Sequence, residues 1–195
     1  MLNRRHLITR GAAATGALTI TPAGILLSMN AVKVYDGSAT FSASNVTVTG
    51  LLGTDTLGTA TAASANVSAN GTNFIQSFTL ASGDASNYYA TSARSGTNMA
   101  TINAAPLTFV AKTGTDGKTY NADATFTASQ VTVTGLKNGD QIASLTAASA
   151  NVSSTNYFTA YTMQSGNASN YTFASTTYDA QANAATIAPA TITVN

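Results

Sequence analysis

Val46-Thr47-Val48-Thr49-Gly50-Leu51 returns 85 residues later as Val131-Thr132-Val133-Thr134-Gly135-Leu136. In each copy valine alternates with threonine, the period of a strand with one face in a core and the other solvated. Glycine closes the strand, and Gly53-Thr54-Asp55 or Asn138-Gly139-Asp140 supplies turn chemistry beyond it. Working outward, Thr61-Ala62-Ala63-Ser64-Ala65-Asn66-Val67 recurs unchanged at Thr146–Val152. Ser82-Gly83-Asp84-Ala85-Ser86-Asn87-Tyr88 becomes Ser165-Gly166-Asn167-Ala168-Ser169-Asn170-Tyr171, and Ala100-Thr101-Ile102 becomes Ala185-Thr186-Ile187. Val34-Tyr35-Asp36-Gly37 aligns with Thr119-Tyr120-Asn121-Ala122. The offset runs 85, 83, 85, so small length changes fall between matched blocks, as they do in loops. A tandem repeat of about 84 residues therefore organises the chain.

Strand signals recur within each unit at the spacing of a sandwich. The fold class expected is all-β: two tandem Ig-like β-sandwich units of about 84 residues, joined by short Pro-containing links. The units span 23–104 and 105–188, with an N-terminal segment 1–22 and a terminal strand 189–195. The core is expected from Tyr35, Phe41, Val46, Val48, Leu51, Val67, Phe78, Leu80, Tyr88 and Ile102, with their counterparts in the second copy. Phe74, Phe78 and Leu80 share one face of a strand over Asn73–Ala81, with Gln76 out of phase. The repeated block Thr61–Val67 is expected as strand, on its Val, Asn and Ser content and its flanking strands.

Composition excludes several chemistries. The 195 residues include 34 Thr and 19 Ser, so the polar surface is hydroxyl rather than ionic. There is no Cys and one His, His6, so neither a thiolate nucleophile, a Cys-ligated zinc nor a Ser-His-Asp triad can be built. All seven acids are Asp. A net charge of +1 provides no general field for nucleic acid. No enzyme activity is expected.

Met1–Asn30 has two readings. Arg4-Arg5 followed by an Ala/Gly-rich apolar stretch has the ingredients of an export signal. Alternatively, Leu18-Thr19-Ile20-Thr21-Pro22-Ala23 is the end of a repeat, because Ile187-Ala188-Pro189-Ala190 has the same form. Thr21-Pro22 breaks the run, which is too interrupted for a membrane span.

Val34-Tyr35-Asp36-Gly37, Gly83-Asp84-Ala85-Ser86-Asn87-Tyr88 and Ala185-Thr186-Ile187-Ala188-Pro189 resemble the YDG/MBG-type repeats of bacterial secreted, haemagglutinin-like adhesins. The resemblance covers residues 19–195. It implies all-β units, a stalk or spacer role at the cell surface, further repeats as partners, and no catalytic residues. Its structural motif falls on Tyr35, Asp36, Gly37, Asn87 and Tyr88, and on Tyr120, Asn170 and Tyr171. The second copy has Tyr120-Asn121-Ala122, so Asp and Gly are expected to serve a local turn.

Other candidates carry less. No cofactor is expected; the weak metal candidates are oxygen ligands for calcium, Asp36 and Asp84 first, then Asp55, Asp116 and Asp123. Asp84 and Asp36 become Asn167 and Asn121, which favours turn-forming roles. Lys33 and Lys112 are isopeptide candidates, but nothing in the spacing selects partners for them. Tyr88, Tyr89, Tyr171 and Phe173 form either an aromatic strip for a glycan or, more simply, core. Thr191, Ile192 and Val194, with Ile25 and Leu27, are candidates for strand exchange between identical subunits. Three functions follow: a surface stalk, a homopolymeric filament built by strand addition, or a module binding a glycan or protein ligand.

Overall fold

The computed structural model describes residues 19–29, 32–67, 72–91 and 100–194. Among them there is no α-helix, only strands, turns and single 3₁₀ turns. The first unit contains β1 (Ala23–Met29), β2 (Lys33–Val34), β3 (Thr40–Ser42), β4 (Val46–Thr49), β5 (Thr56–Ala62), β6 (Ile75–Ser82), β7 (Tyr88–Ala90) and β8 (Ile102–Asn103). The second contains β9 (Ala105–Ala111), β10 (Lys118–Thr119), β11 (Thr125–Thr127), β12 (Val131–Thr134), β13 (Gln141–Ala147), β14 (Phe158–Ser165), β15 (Tyr171–Phe173), β16 (Asn183–Ala184) and β17 (Ile187–Ala188).

Each unit is a sandwich-like pair of sheets, none closed into a barrel. One sheet is antiparallel, in the order β3-β5-β6 and again β11-β13-β14. The other is β4-β1-β7 and again β12-β9-β15. Its central strand is antiparallel to one neighbour and parallel to the other. A short parallel pair, β2-β8 and β10-β17, extends each unit. Ile25 and Leu27 of β1 and Val46 of β4 meet Phe41, Ala60 and Ile75 from the facing sheet in a single core.

Three details depart from the sequence reading. First, β5 stops at Ala62, and residues 63–67 form a turn rather than strand. Buried Asn73 holds that turn: its amide donates to Ser64 O at 2.9 Å, and its Oδ1 accepts from Ser64 N at 3.0 Å. Asn156 repeats both bonds with Ser149. Side-chain bonds of this kind compete with the sheet ladder and win at Ser and Asn.

Second, the phase of β6 changes. Thr61 pairs with Ser77 but Ala62 pairs with Ile75, so Gln76 is an extra residue, a β-bulge. The bulge turns Ile75 into the core and leaves Phe78 and Leu80 half-buried at its edge. In the second unit Thr159 is the extra residue and Phe158 becomes the core side chain. Third, Pro106 lies inside β9, opposite Thr172, so Ala104 alone separates β8 from β9.

The units differ in how their cores are filled. Phe109, Phe158, Tyr161 and Phe173 form an aromatic cluster in the second, with neighbouring centroids 5.2 to 6.3 Å apart. The Tyr161 hydroxyl donates to the carbonyls of Ala168 and Tyr171. The first unit has Phe78 and Ala90 at the Tyr161 and Phe173 positions, and a cleft of about 360 Å³ opens there against Ile75 and Tyr88. Phe78→Tyr with Ala90→Phe should fill it and stabilise the first unit by about 1–2 kcal/mol. A thermal melt tests this; a lower melting temperature would mean the cleft rejects the rings.

Candidate inter-repeat interface

Strand register places two sets of turns at opposite ends of a unit. Thr40 pairs with Thr61, so residues 35–39 and 63–67 share one end. Thr56 pairs with Ser82, so residues 50–55 and 83–87 share the other. The first unit meets the second through its 35–37 and 66–67 turns. The second answers with the turns around Asn138, Asp140 and Asn170, which match the 50–55 and 83–87 end.

The contact centres on Tyr35, Asp140, Asn170 and Tyr171. Asp140 Oδ2 accepts the Tyr171 hydroxyl at 2.7 Å and the Tyr35 hydroxyl at 3.4 Å. The two tyrosine rings meet edge to face, with centroids 5.4 Å apart. Asn170 donates through Nδ2 to Asn66 Oδ1 at 2.9 Å and accepts the Val67 N–H at 2.9 Å. Gly37 lies against Asn138: a Cβ added to Gly37 would stand 2.7 Å from the Asn138 Cβ. Gly37 has φ +84, so glycine is favoured here for its backbone and required for the space beside Asn138.

Burial records the same joint. Tyr35 is 4% exposed and its counterpart Tyr120 is 40%. Asn170 is 1% exposed, whereas its counterpart Asn87 is exposed. Burial and the hydrogen bond to Asp140 raise the Tyr171 pKa well above the ordinary tyrosine value; burial, then the Asp140 charge, raises that of Tyr35. A raised folded pKa contributes stability below the unfolded value near 10 that is lost as pH rises above it. The joint should therefore loosen above about pH 10. Tyr35→Phe with Tyr171→Phe should flatten that alkaline limb in an unfolding titration; an unchanged limb would assign it to other tyrosines.

The motif residues thus divide. Tyr35, Asn170 and Tyr171 act at the joint. Asp36 and Asn121 accept the backbone N–H two residues on, which gives both the local turn role. Asp84 and Asn167 do the same for Ser86 and Ser169. The Ser86 backbone N–H and hydroxyl hold the Asp84 carboxyl below its ordinary pKa. Asp36 and Asp84 lie at opposite ends of the first unit, so the structure does not bring these calcium candidates together. Among the described residues no group of three or more His, Cys, Asp or Glu gathers. Lys33 Nζ ion-pairs with Asp36 at 2.8 Å and donates to Ser38 O and Thr40 O. Tyr88 and Tyr171 are buried, Tyr89 is 55% exposed, and Phe173 packs in the aromatic cluster, so the strip resolves mostly into core.

Ile25 and Leu27 lie buried in β1, between β4 and β7 of their own unit. Thr191, Ile192 and Val194 are exposed, Ile192 by 86% and Val194 by 90%. The basic residues Arg4 and Arg5 of the export reading lie outside the described residues. No helix among the described residues is long and apolar enough to cross a membrane.

Two repeats of one sandwich, with Tyr and Asx turns at matching places, match the YDG domain model over residues 17–96 and 103–178. The chain belongs to the YDG domain family. No curated protein and no solved structure matches it. The joint residues of the YDG pair were partly legible: Tyr35, Asn170 and Tyr171 were motif positions, but Asn66, Asn138 and Asp140 were not. For Asn66 and Asp140 the signal is identity between copies, Asn66 with Asn151 and Asp55 with Asp140; Asn138 carries no such signal, since Gly53 stands at its place in the first copy.

Proposed function

We propose that this chain is a structural spacer: tandem YDG units in the stalk of an exported bacterial surface adhesin or fibre, without catalysis. One observation carries the reading. A single residue, Ala104, separates the units, and the joint beside it buries Tyr35, Asn170 and Tyr171 with their hydrogen bonds made. A short link and a satisfied interface resist bending between repeats, as an extended solenoid or rod requires. Further repeats or identical chains are its natural partners; a surface glycan or protein ligand would belong to whatever the stalk presents.

Small-angle scattering on dilute protein tests this. One fixed arrangement of the two units should fit the wild-type curve. Asn170→Ala with Asp140→Ala should need a broad ensemble. A wild-type curve that already needs one overturns the spacer. Immunogold labelling should place the protein outside the cell; confinement to the cytoplasm overturns the exported role.

A second reading has its own support. By repeat register Ile192 and Val194 match Leu107 and Phe109 of β9, and Ile25 and Leu27 of β1, all buried. Exposed at the C-terminal end, they have the alternation of a strand able to complete another unit, as a filament built by strand addition uses.

A further inference from the structure

The two outer ends of the chain carry the two halves of the inner joint. At one end, Asp55, Asn87 and Tyr88 repeat Asp140, Asn170 and Tyr171. Tyr88 donates to Asp55 Oδ2 at 2.7 Å, the same bond as Tyr171 to Asp140. Above them lies a cleft of about 600 Å³, lined by Ile20, Pro22, Leu52, Asp55, Asn87 and Tyr88. At the other end, Tyr120, Asn151 and Val152 repeat Tyr35, Asn66 and Val67, and Tyr120 and Val152 are 40% and 48% exposed.

The glycine contact decides the matter. At the inner joint Gly37 has no Cβ and Asn138 has one; with a Cβ on both, they would be 2.7 Å apart. At the outer ends the roles are exchanged. Ala122 stands at the Gly37 position and keeps the left-handed backbone, φ 62, unusual for alanine. Gly53 stands at the Asn138 position, φ +63, with nothing within 4 Å of where its Cβ would be. One Cβ is missing at each joint, but from opposite partners. With Gly53, the nearest atom facing the Ala122 Cβ becomes the glycine Cα, at the ordinary contact distance of 3.6 Å that the Asn138 Cα has from the same point.

We infer that a second copy of this chain docks head to tail, its Tyr120, Ala122, Asn151 and Val152 end entering the Gly53, Asp55, Asn87 and Tyr88 cleft in the geometry of the inner joint. The inference rests on the spacer reading in taking the inner joint as a structural contact, and it names the partner. Such an interface is heterologous and open-ended, so it builds chains rather than closed dimers. The contact that a one-residue link holds at an effective concentration of order millimolar within the chain must act unlinked here, so association is weak.

Sedimentation of the full chain up to about 1 mM tests it. The wild type should grow with concentration without stopping at a dimer. Gly53→Asn should weaken association at least about tenfold. That variant should fold, since Asn138 already adopts this conformation with φ 53. Adding Ala122→Gly should restore association, because it recreates the Gly37–Asn138 pair. Removing residues 189–195, which by repeat register would overlie residues 22–28 of the receiving copy, should leave it intact or strengthen it. A monomer throughout, association indifferent to Gly53→Asn, or association lost with residues 189–195 overturns the inference, the last by assigning growth to strand exchange. Scattering on the dilute monomer reports on the spacer separately, so the two failures are distinguishable.

Discussion

Phe158→Ala should lower the stability of the second unit by about 4 kcal/mol, the middle of the range for truncating a buried phenylalanine. The ring is 1% exposed. It lies 5.0 Å from Phe126, edge to face, and 6.3 Å from Phe109, so it ties the β11-β13-β14 sheet to the central strand β9 of the other. Aromatic pairs in this geometry add to the transfer term. The three rings are rigid, so the void would collapse little and the cavity cost would stand nearly in full. Ile75→Ala at the matching place in the first unit should cost less, about 2–3 kcal/mol, because fewer atoms are removed beside a cleft that already exists. Urea unfolding of both variants makes the comparison. Equal losses would mean that the aromatic cluster adds nothing beyond burial.

Phe158 also shows where sequence patterning stops. The valine–threonine alternation of Val46–Thr49 and Val131–Thr134 was readable because no residue is inserted in those strands, and both appear as expected. Strands β6 and β14 carry a bulge, at Gln76 and at Thr159, and one extra residue reverses which side chains point inward. A period-two reading then selects Phe78 and Leu80 and passes over Ile75. Residues 63–67 and 148–152 depart for another reason: the partners that bend them, Asn73 and Asn156, lie nine and seven residues from the serines they hold. The joint was harder still. Its hydrogen bonds link residues more than 100 positions apart, and no local pattern marks such a pair. What the chain does reveal is identity between copies at Asn66 and Asn151 and at Asp55 and Asp140, beyond what a turn alone demands.

Asn183→Ala should remove about 3 kcal/mol from the second unit, although it deletes no apolar surface. Asn183 is fully buried. Its Oδ1 accepts the Phe158 N–H at 2.9 Å, and its Nδ2 donates to Phe158 O at 3.1 Å and Ser175 O at 2.8 Å. The side chain therefore serves as a ladder rung on the edge of β14 away from β13, and it anchors the crossing from β15 to β16. Alanine leaves one N–H and two carbonyls without partners, and the loss is set by that desolvation rather than by the small net value of each bond. Asn183→Asp separates this account from simple packing. It keeps the shape but turns an oxygen toward two carbonyl oxygens, and burial raises the new carboxyl's pKa in the folded state. Its stability should be best below the unfolded carboxyl pKa near 4, and should fall as pH rises through the folded value. The alanine variant lacks that group, so Asn183→Asp should lose stability relative to Asn183→Ala from acid to neutral pH. Urea titrations at several pH values measure it. A constant difference would mean that water enters and satisfies the site, and the polar anchor would then be replaceable.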